Sequence, residues 1–153
     1  MFTLSGCGDV TAPTPGSKPA TEVYAASLGV DITQMTKKSD DLYVQDLVVG
    51  TGADVTAGHV LGVTYTGWFT NATQFDSNVG GTPLSFTLGA GQVILGWDLG
   101  LPGMKVGGKR RLVIGSDLAY GSGGAGCDPN RTPRCVIPPN STLVFDVQVL
   151  SSR

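Results

Sequence analysis

A single histidine, His59, is all the imidazole this chain carries. It follows Gly58 in a turn beside a strand-like run, where it is expected to face solvent, and no serine stands in a nucleophile-elbow sequence. A hydrolytic relay is therefore not expected. Charge is also sparse: Asp, Glu, Lys and Arg make up 14% of the 153 residues, and the formal net charge is −2. The densest basic spot, Lys109-Arg110-Arg111, is too short to track a phosphate backbone, so nucleic acid is not an expected partner. No apolar run approaches the ~18 residues that a membrane-spanning helix needs. The carboxylates Asp76, Asp98 and Asp117 stand singly and form no acid/base pair in sequence. Gly121-Ser122-Gly123-Gly124 lacks the Lys-Ser/Thr and the helix start of a phosphate loop.

Cysteine is rare as well, with three residues that need separate accounts. Cys127 and Cys135 share one Gly/Pro-rich loop, close enough to bridge. Their spacing lacks the tight pairing and the further ligands of a zinc site, so a disulfide is expected and a metal is not. The alternative is a pair of reduced thiols in a surface loop of a cytoplasmic protein. Cys7 stands in Leu4-Ser5-Gly6-Cys7, which resembles a bacterial lipobox, where the thiol receives the lipid. Only Met1-Phe2-Thr3 precede that box, so the lipoprotein reading implies an apolar segment upstream of Met1. It places the domain on the periplasmic side of a bacterial cell envelope, in contact with the membrane only through a lipid on Cys7. A genuine chain start at Met1 would instead imply a cytoplasmic location.

What the chain has in quantity is glycine, 23 residues, with 9 prolines. Scattered between apolar runs, they punctuate turns of a β-rich fold. Residues 1–21 hold the lipobox-like segment and a Pro-rich stretch with Pro13, Pro15 and Pro19, and read as a flexible tether. Residues 22–40 read as a lead-in of a turn and at most one short strand, with Tyr24, Leu28, Val30, Ile32 and Met35 available to lie against the domain formed by 41–153. In that domain Leu42 to Val49, Val60 to Thr70, Leu84 to Leu88, Lys109 to Ile114 and Thr142 to Leu150 read as strands, and Gln74 to Ser77 follows a turn. Val93, Trp97 and Leu101 are spaced by four, which predicts one short helix. The fold class is α+β: a curved antiparallel half-barrel sheet of five or six strands around one helix. Aromatic and aliphatic residues recur at strand ends and loop edges, among them Tyr65, Phe75, Trp97, Tyr120, Val136, Ile137 and Phe145. They read either as core or as the lining of an apolar pocket.

Six blocks in order then carry a specific resemblance: Tyr65-Thr66-Gly67-Trp68; Gln74-Phe75-Asp76-Ser77; Phe86-Thr87-Leu88-Gly89 with Val93-Ile94-Leu95-Gly96-Trp97; Gly103-Met104-Lys105-Val106-Gly107-Gly108-Lys109-Arg110; Ala119-Tyr120-Gly121; and Ile137-Pro138-Pro139 through Val147. Together they resemble the FKBP-type peptidyl-prolyl cis-trans isomerases across Asp41 to Leu150. The resemblance implies a proline-sized pocket with Trp97 as its floor and Tyr65, Phe75, Val93, Ile94 and Phe145 as its walls. It implies that the Ile94 backbone N–H and the Tyr120 hydroxyl hold substrate carbonyls, that Asp76 is the acidic residue at the pocket edge, and that Ile137 forms the rim. Tyr65, Asp76, Ile94 and Tyr120 are thus the expected catalytic residues. Phe75, Leu84, Val93, Trp97, Ile137 and Phe145 are the expected substrate-binding ones.

No cofactor or metal is implied. The implied partners are proline-containing polypeptides and the macrolide ligands typical of the family, on a monomer. A peptide-binding chaperone or adaptor that keeps the pocket with little turnover is the alternative. Three departures stand out. Leu84 replaces the usual aromatic after Pro83, Ser77 to Thr82 lacks the basic residue that often pairs with the Asp76 equivalent, and the Cys127–Cys135 loop is long.

Overall fold

The computed structural model describes residues 18–132 and 134–153. Cys7 and the first seventeen residues of the expected tether, residues 1–17, lie outside the described residues. Seven antiparallel strands form the sheet: β1 (Thr36–Ser39), β2 (Leu42–Val48), β3 (Val60–Phe69), β4 (Gln74–Ser77), β5 (Leu84–Thr87), β6 (Lys109–Ile114) and β7 (Leu143–Ser152). Their order is β1-β2-β6-β7-β3-β4, with β5 also paired to β3. Because β7 pairs with β3 from Leu61 to Phe69, β4 and β5 share the other edge of β3. The strand beyond the five or six expected is β1, which lies in the lead-in and pairs Thr36 with Val44.

One helix, α1 (Leu95–Gly100), crosses the concave face. It is shorter than the expected Val93–Leu101. Ile94 takes the extended N-cap conformation (φ −59°, ψ 148°), and its carbonyl accepts the first bonds from the Trp97 and Asp98 N–H groups. Val93 and Ile94 thereby stay outside the helix, at the edge of the concave face. Gly96 and Gly100 explain how six residues can lie so near the sheet. A Cβ on Gly96 would fall 2.6 Å from the Ile114 side chain, and one on Gly100 would collide with Leu112.

Strand alternation sorts two apolar layers. Toward the helix point Leu42, Val44, Leu61, Val63, Leu112, Ile114, Leu143, Phe145, Val147 and Val149, which form the main core with Trp97, Leu101 and Met104. Full burial of each such side chain contributes roughly 1.5–3 kcal/mol. The opposite face carries one row in register, Tyr43 beside Val113, Val113 beside Val144, and Val144 beside Trp68. The lead-in covers that row with Tyr24, Leu28, Val30, Ile32 and Met35, making a second cluster. Residues 18–21, at the end of the expected tether, join this layer: Pro19–Thr21 is a 3₁₀ turn and Lys18 pairs with Asp41 at 2.6 Å.

Both arginines of the basic spot are engaged internally. Arg110, 6% exposed, pairs with Asp46 at 2.7 Å and donates to the Gly100 carbonyl at the end of α1. Arg111 pairs with Asp146 at 2.7 Å and donates to the Leu28 carbonyl at 2.5 Å, fastening the lead-in to the sheet. Asp54 and Lys105 pair across an isolated bridge at 2.5 Å.

The helix–sheet contact is the test of this architecture. Gly96→Ala forces a methyl into the Ile114 side chain and should cost roughly 1–3 kcal/mol of stability, as overpacked cores do. Urea unfolding followed by far-UV circular dichroism would measure it; an unchanged midpoint would mean that α1 sits farther from the sheet.

Candidate functional site

Four strands, the helix and two loops meet at the open end of the concave face. Here lies a cavity of about 160 Å³ lined by Tyr65, Phe75, Asp76, Leu84, Gln92, Val93, Ile94, Trp97, Tyr120 and Phe145. β3 supplies Tyr65 and β7 supplies Phe145, which strand alternation turns toward the helix; β4 supplies both Phe75 and Asp76, at the point where its register with β3 shifts. Leu84 opens β5, Trp97 comes from α1, and Gln92–Ile94 come from the loop that enters it.

Trp97 is 3% exposed and forms the floor. Tyr65 meets it nearly edge-on at 5.1 Å between ring centres, and Phe145 stands perpendicular to it at 5.4 Å. Phe75 in turn stands perpendicular to Phe145 at 5.6 Å. Edge-to-face pairs of this kind add about 0.5–1.5 kcal/mol beyond burial and hold ring orientation as well as position. Gly67 has a steric reason to be glycine. A Cβ there would lie 2.6 Å from Phe75 and 2.8 Å from Phe145, so the rings pack directly on the β3 backbone. The Trp97 indole N–H is buried with no hydrogen-bond partner among the described residues, so the floor presents ring surface.

Polar groups stand at the mouth. The Tyr65 hydroxyl donates to Asp76 at 2.6 Å, which takes the place of the basic partner missing from Ser77 to Thr82. Tyr120 is 40% exposed at the opening. Burial first, and then the hydrogen bond and negative charge of Asp76, push the Tyr65 hydroxyl above the ordinary value of 10.0. Burial and the Asp76 charge push Tyr120 the same way. Both hydroxyls are therefore protonated donors at neutral pH. The Ile94 N–H has no acceptor among the described residues and is available to a ligand.

Every residue expected at the pocket lines the cavity except Ile137. That residue is 4% exposed and belongs to the main core. Its backbone bonds in both directions with Ala125, and this isolated bridge carries the side chain inward. Its neighbour Val136 stays 45% exposed. Leu84 lines the cavity at 37% exposure, consistent with a thinner wall than an aromatic would make. Cys127 and Cys135 have their sulfurs 2.13 Å apart at the base of the loop that leads into Val136.

Two contributors escaped the sequence reading. Gln92 lines the cavity, and its side-chain carbonyl accepts from the Thr87 N–H at 2.8 Å. Asn78 accepts from the Tyr65 N–H at 2.7 Å and donates to the Val63 and Thr82 carbonyls, which holds the β4–β5 loop against β3. A polar residue in a Gly-rich turn has no periodic signal; only the tertiary hydrogen bonds identify these two. No group of three or more His, Cys, Asp or Glu among the described residues could hold a metal ion.

Comparison with known proteins shows the family of the chain. Residues 52–150 match the family model described as FKBP-type peptidyl-prolyl cis-trans isomerase. The FK506-binding protein of Neisseria meningitidis serogroup B is 48% identical over 110 residues, covering 71% of this chain and 94% of that protein. FK506-binding protein 4 of Rhizopus delemar is 48% identical over 120 residues, 78% of this chain; the chain spans only 29% of that relative's length. The same holds for the protein of that name in Dictyostelium discoideum, of which it spans 28%. Among solved structures, FkpA from Escherichia coli superposes with a TM-score of 0.67 at 36% identity, covering 84% of this chain and 55% of that one.

The arrangement at the mouth is testable by alkaline titration. Asp76 favours the neutral phenols, so Asp76→Asn should let Tyr65 and Tyr120 ionise at lower pH than in the parent chain. Phenolate absorbance read in this variant, with Tyr65→Phe to assign the signal, measures the shift. An identical titration curve would mean that Asp76 does not face the two hydroxyls.

Proposed function

Because the chain belongs to the family of FKBP-type peptidyl-prolyl cis-trans isomerases, we propose that its cavity receives a prolyl ring and accelerates rotation about the preceding peptide bond. The substrates on this reading are unfolded or proline-containing polypeptides. The observation that carries it is the cavity itself: an aromatic floor and apolar walls of proline size, with the Tyr65 and Tyr120 hydroxyls at the mouth.

The reaction asks for little else. Rotation about the peptide bond faces a barrier of ~18–20 kcal/mol and takes tens to hundreds of seconds unaided. No covalent bond forms or breaks, so neither a nucleophile nor a metal is required. The planar amide has the greater charge separation, and twisting removes resonance and lowers the charge on oxygen. A dry, aromatic environment therefore favours the twisted state over the planar one. The Ile94 N–H and the Tyr120 hydroxyl hold the flanking carbonyls while the ring rests on Trp97. The Tyr65–Asp76 bond keeps one wall upright. Each ~1.4 kcal/mol of preference for the twisted state is worth a factor of ten in rate.

Leu84 favours a second reading, a peptide-binding module with little turnover, because it leaves one wall thin. Acceleration of cis-to-trans conversion in a short apolar-Pro peptide decides between the two. Binding with no acceleration over the uncatalysed rate would select the module. Trp97→Leu, which keeps apolar bulk but loses the flat floor, should reduce kcat/KM at least tenfold; full activity would put the site elsewhere. Both tyrosine hydroxyls have their ionisation moved upward, by burial first and then by Asp76, so the donor forms persist through the neutral range. Activity should stay level from about pH 6 to 9, and a bell-shaped profile there would exclude this mechanism.

For location, we propose acylation of Cys7 and attachment to a bacterial cell envelope, where oxidising conditions suit the Cys127–Cys135 bridge. Metabolic labelling with a fatty-acid analogue should mark the protein and fail in Cys7→Ser. Unlabelled wild type would remove the lipid anchor from the account.

A further inference from the structure

Asp98 is a buried carboxylate that the chemistry of the cavity does not use. It follows Trp97 on α1, is 8% exposed, and forms no ion pair among the described residues. Burying a carboxylate without a cation is costly unless hydrogen bonds hold it. Two backbone donors do so: the Gly89 N–H gives to Oδ1 at 2.8 Å and the Gly91 N–H to Oδ2 at 3.0 Å. Gly89 and Gly91 have φ of 85° and 73°, a left-handed conformation that brings both N–H groups onto one anion. The anion is the protein's own side chain.

The location of this turn matters to the site. Gly91 is followed directly by Gln92, Val93 and Ile94, all of which line the cavity. The turn is closed a second time by the Thr87 N–H donating to Gln92 at 2.8 Å. One carboxylate thus ties the loop that forms a wall and offers the Ile94 N–H to the helix that carries the Trp97 floor. Resting on the reading of the cavity above, we propose that Asp98 is a positioning residue. It sets the gap between the Trp97 floor and the Val93–Ile94 wall, and with it the aim of the Ile94 N–H at a bound prolyl peptide. Hydrogen bonds to a charged acceptor are the shorter and stronger kind. Misplacing a reacting or orienting group by about 1 Å can cost as much as ~10²-fold in rate.

Asp98→Asn keeps the shape and one acceptor oxygen but turns an amide NH₂ toward one of the two N–H donors. Leu28→Ala, in the cluster on the opposite face of the sheet, serves as the control for general destabilisation. With both variants folded by circular dichroism, Asp98→Asn should lower kcat/KM on a short apolar-Pro peptide about tenfold, KM rising more than kcat falls. Leu28→Ala should keep parental kcat/KM. Amide hydrogen exchange at Gly89 and Gly91 should speed up in Asp98→Asn and not in Leu28→Ala. Asp98→Glu, with both oxygens retained one methylene farther out, should give an intermediate loss and decides in the same terms if the Asn variant does not fold. Parental kcat/KM in the folded Asp98 variants, or an equal loss in Leu28→Ala, would overturn the assignment. Failure of the cavity reading has a different signature, full activity in Trp97→Leu.

Discussion

The close approach of α1 to the curved sheet is the contact on which the rest of this structure depends. Gly96 and Gly100 present bare backbone to Ile114 and Leu112, so a helix of six residues lies directly on the core. From there Trp97 projects among Tyr65, Phe86 and Phe145, part of the core and floor of the cavity at once. Arg110 fixes the far end of the same helix by binding the Gly100 and Pro102 carbonyls while paired to Asp46 on β2. Backbone proximity on one side and a buried guanidinium on the other leave the helix little freedom to shift. A floor held this way can impose a geometry on a ligand.

The cavity is short of the groups usually sought in an enzyme. It has one carboxylate, already taken by a tyrosine hydroxyl, and its other polar side chains, Gln92, Tyr120 and the Trp97 indole N–H, are neutral. For proton transfer or hydrolysis this would be a poor site. For rotation about an amide it is suitable, because what must be favoured is a less dipolar arrangement of the same atoms.

A second feature is the apolar row on the outer face of the sheet. Tyr43, Val113, Val144 and Trp68 are side by side in register, and would be an exposed stripe without the segment that precedes the domain. Tyr24, Leu28 and Met35 cover it, Arg111 binds the Leu28 carbonyl, and Thr36–Ser39 adds an edge strand. The lead-in is thus a layer of the fold.

The sequence by itself determined the strands with clean alternation, the single helical period, and the chemistry of the cavity. Period-two patterning in Val60–Phe69 and Leu143–Ser152 must place alternate residues on one face, and the ordered motif blocks carried Tyr65, Asp76, Ile94, Trp97, Tyr120 and Phe145 to one site. Tertiary structure alone decided the rest. The lead-in admitted a short strand, but its place at Thr36–Ser39 follows from the edge that β2 offers. Ile137 points inward because its backbone bridges Ala125, although its neighbours in sequence form a rim. Gln92, Asn78 and Asp98 owe their roles to N–H groups five, thirteen and nine residues away, and such partners leave no periodic trace along the chain. Side-chain periodicity is a local property and can be read along the chain; a hydrogen-bond partner across a turn is fixed only when the chain has closed upon itself.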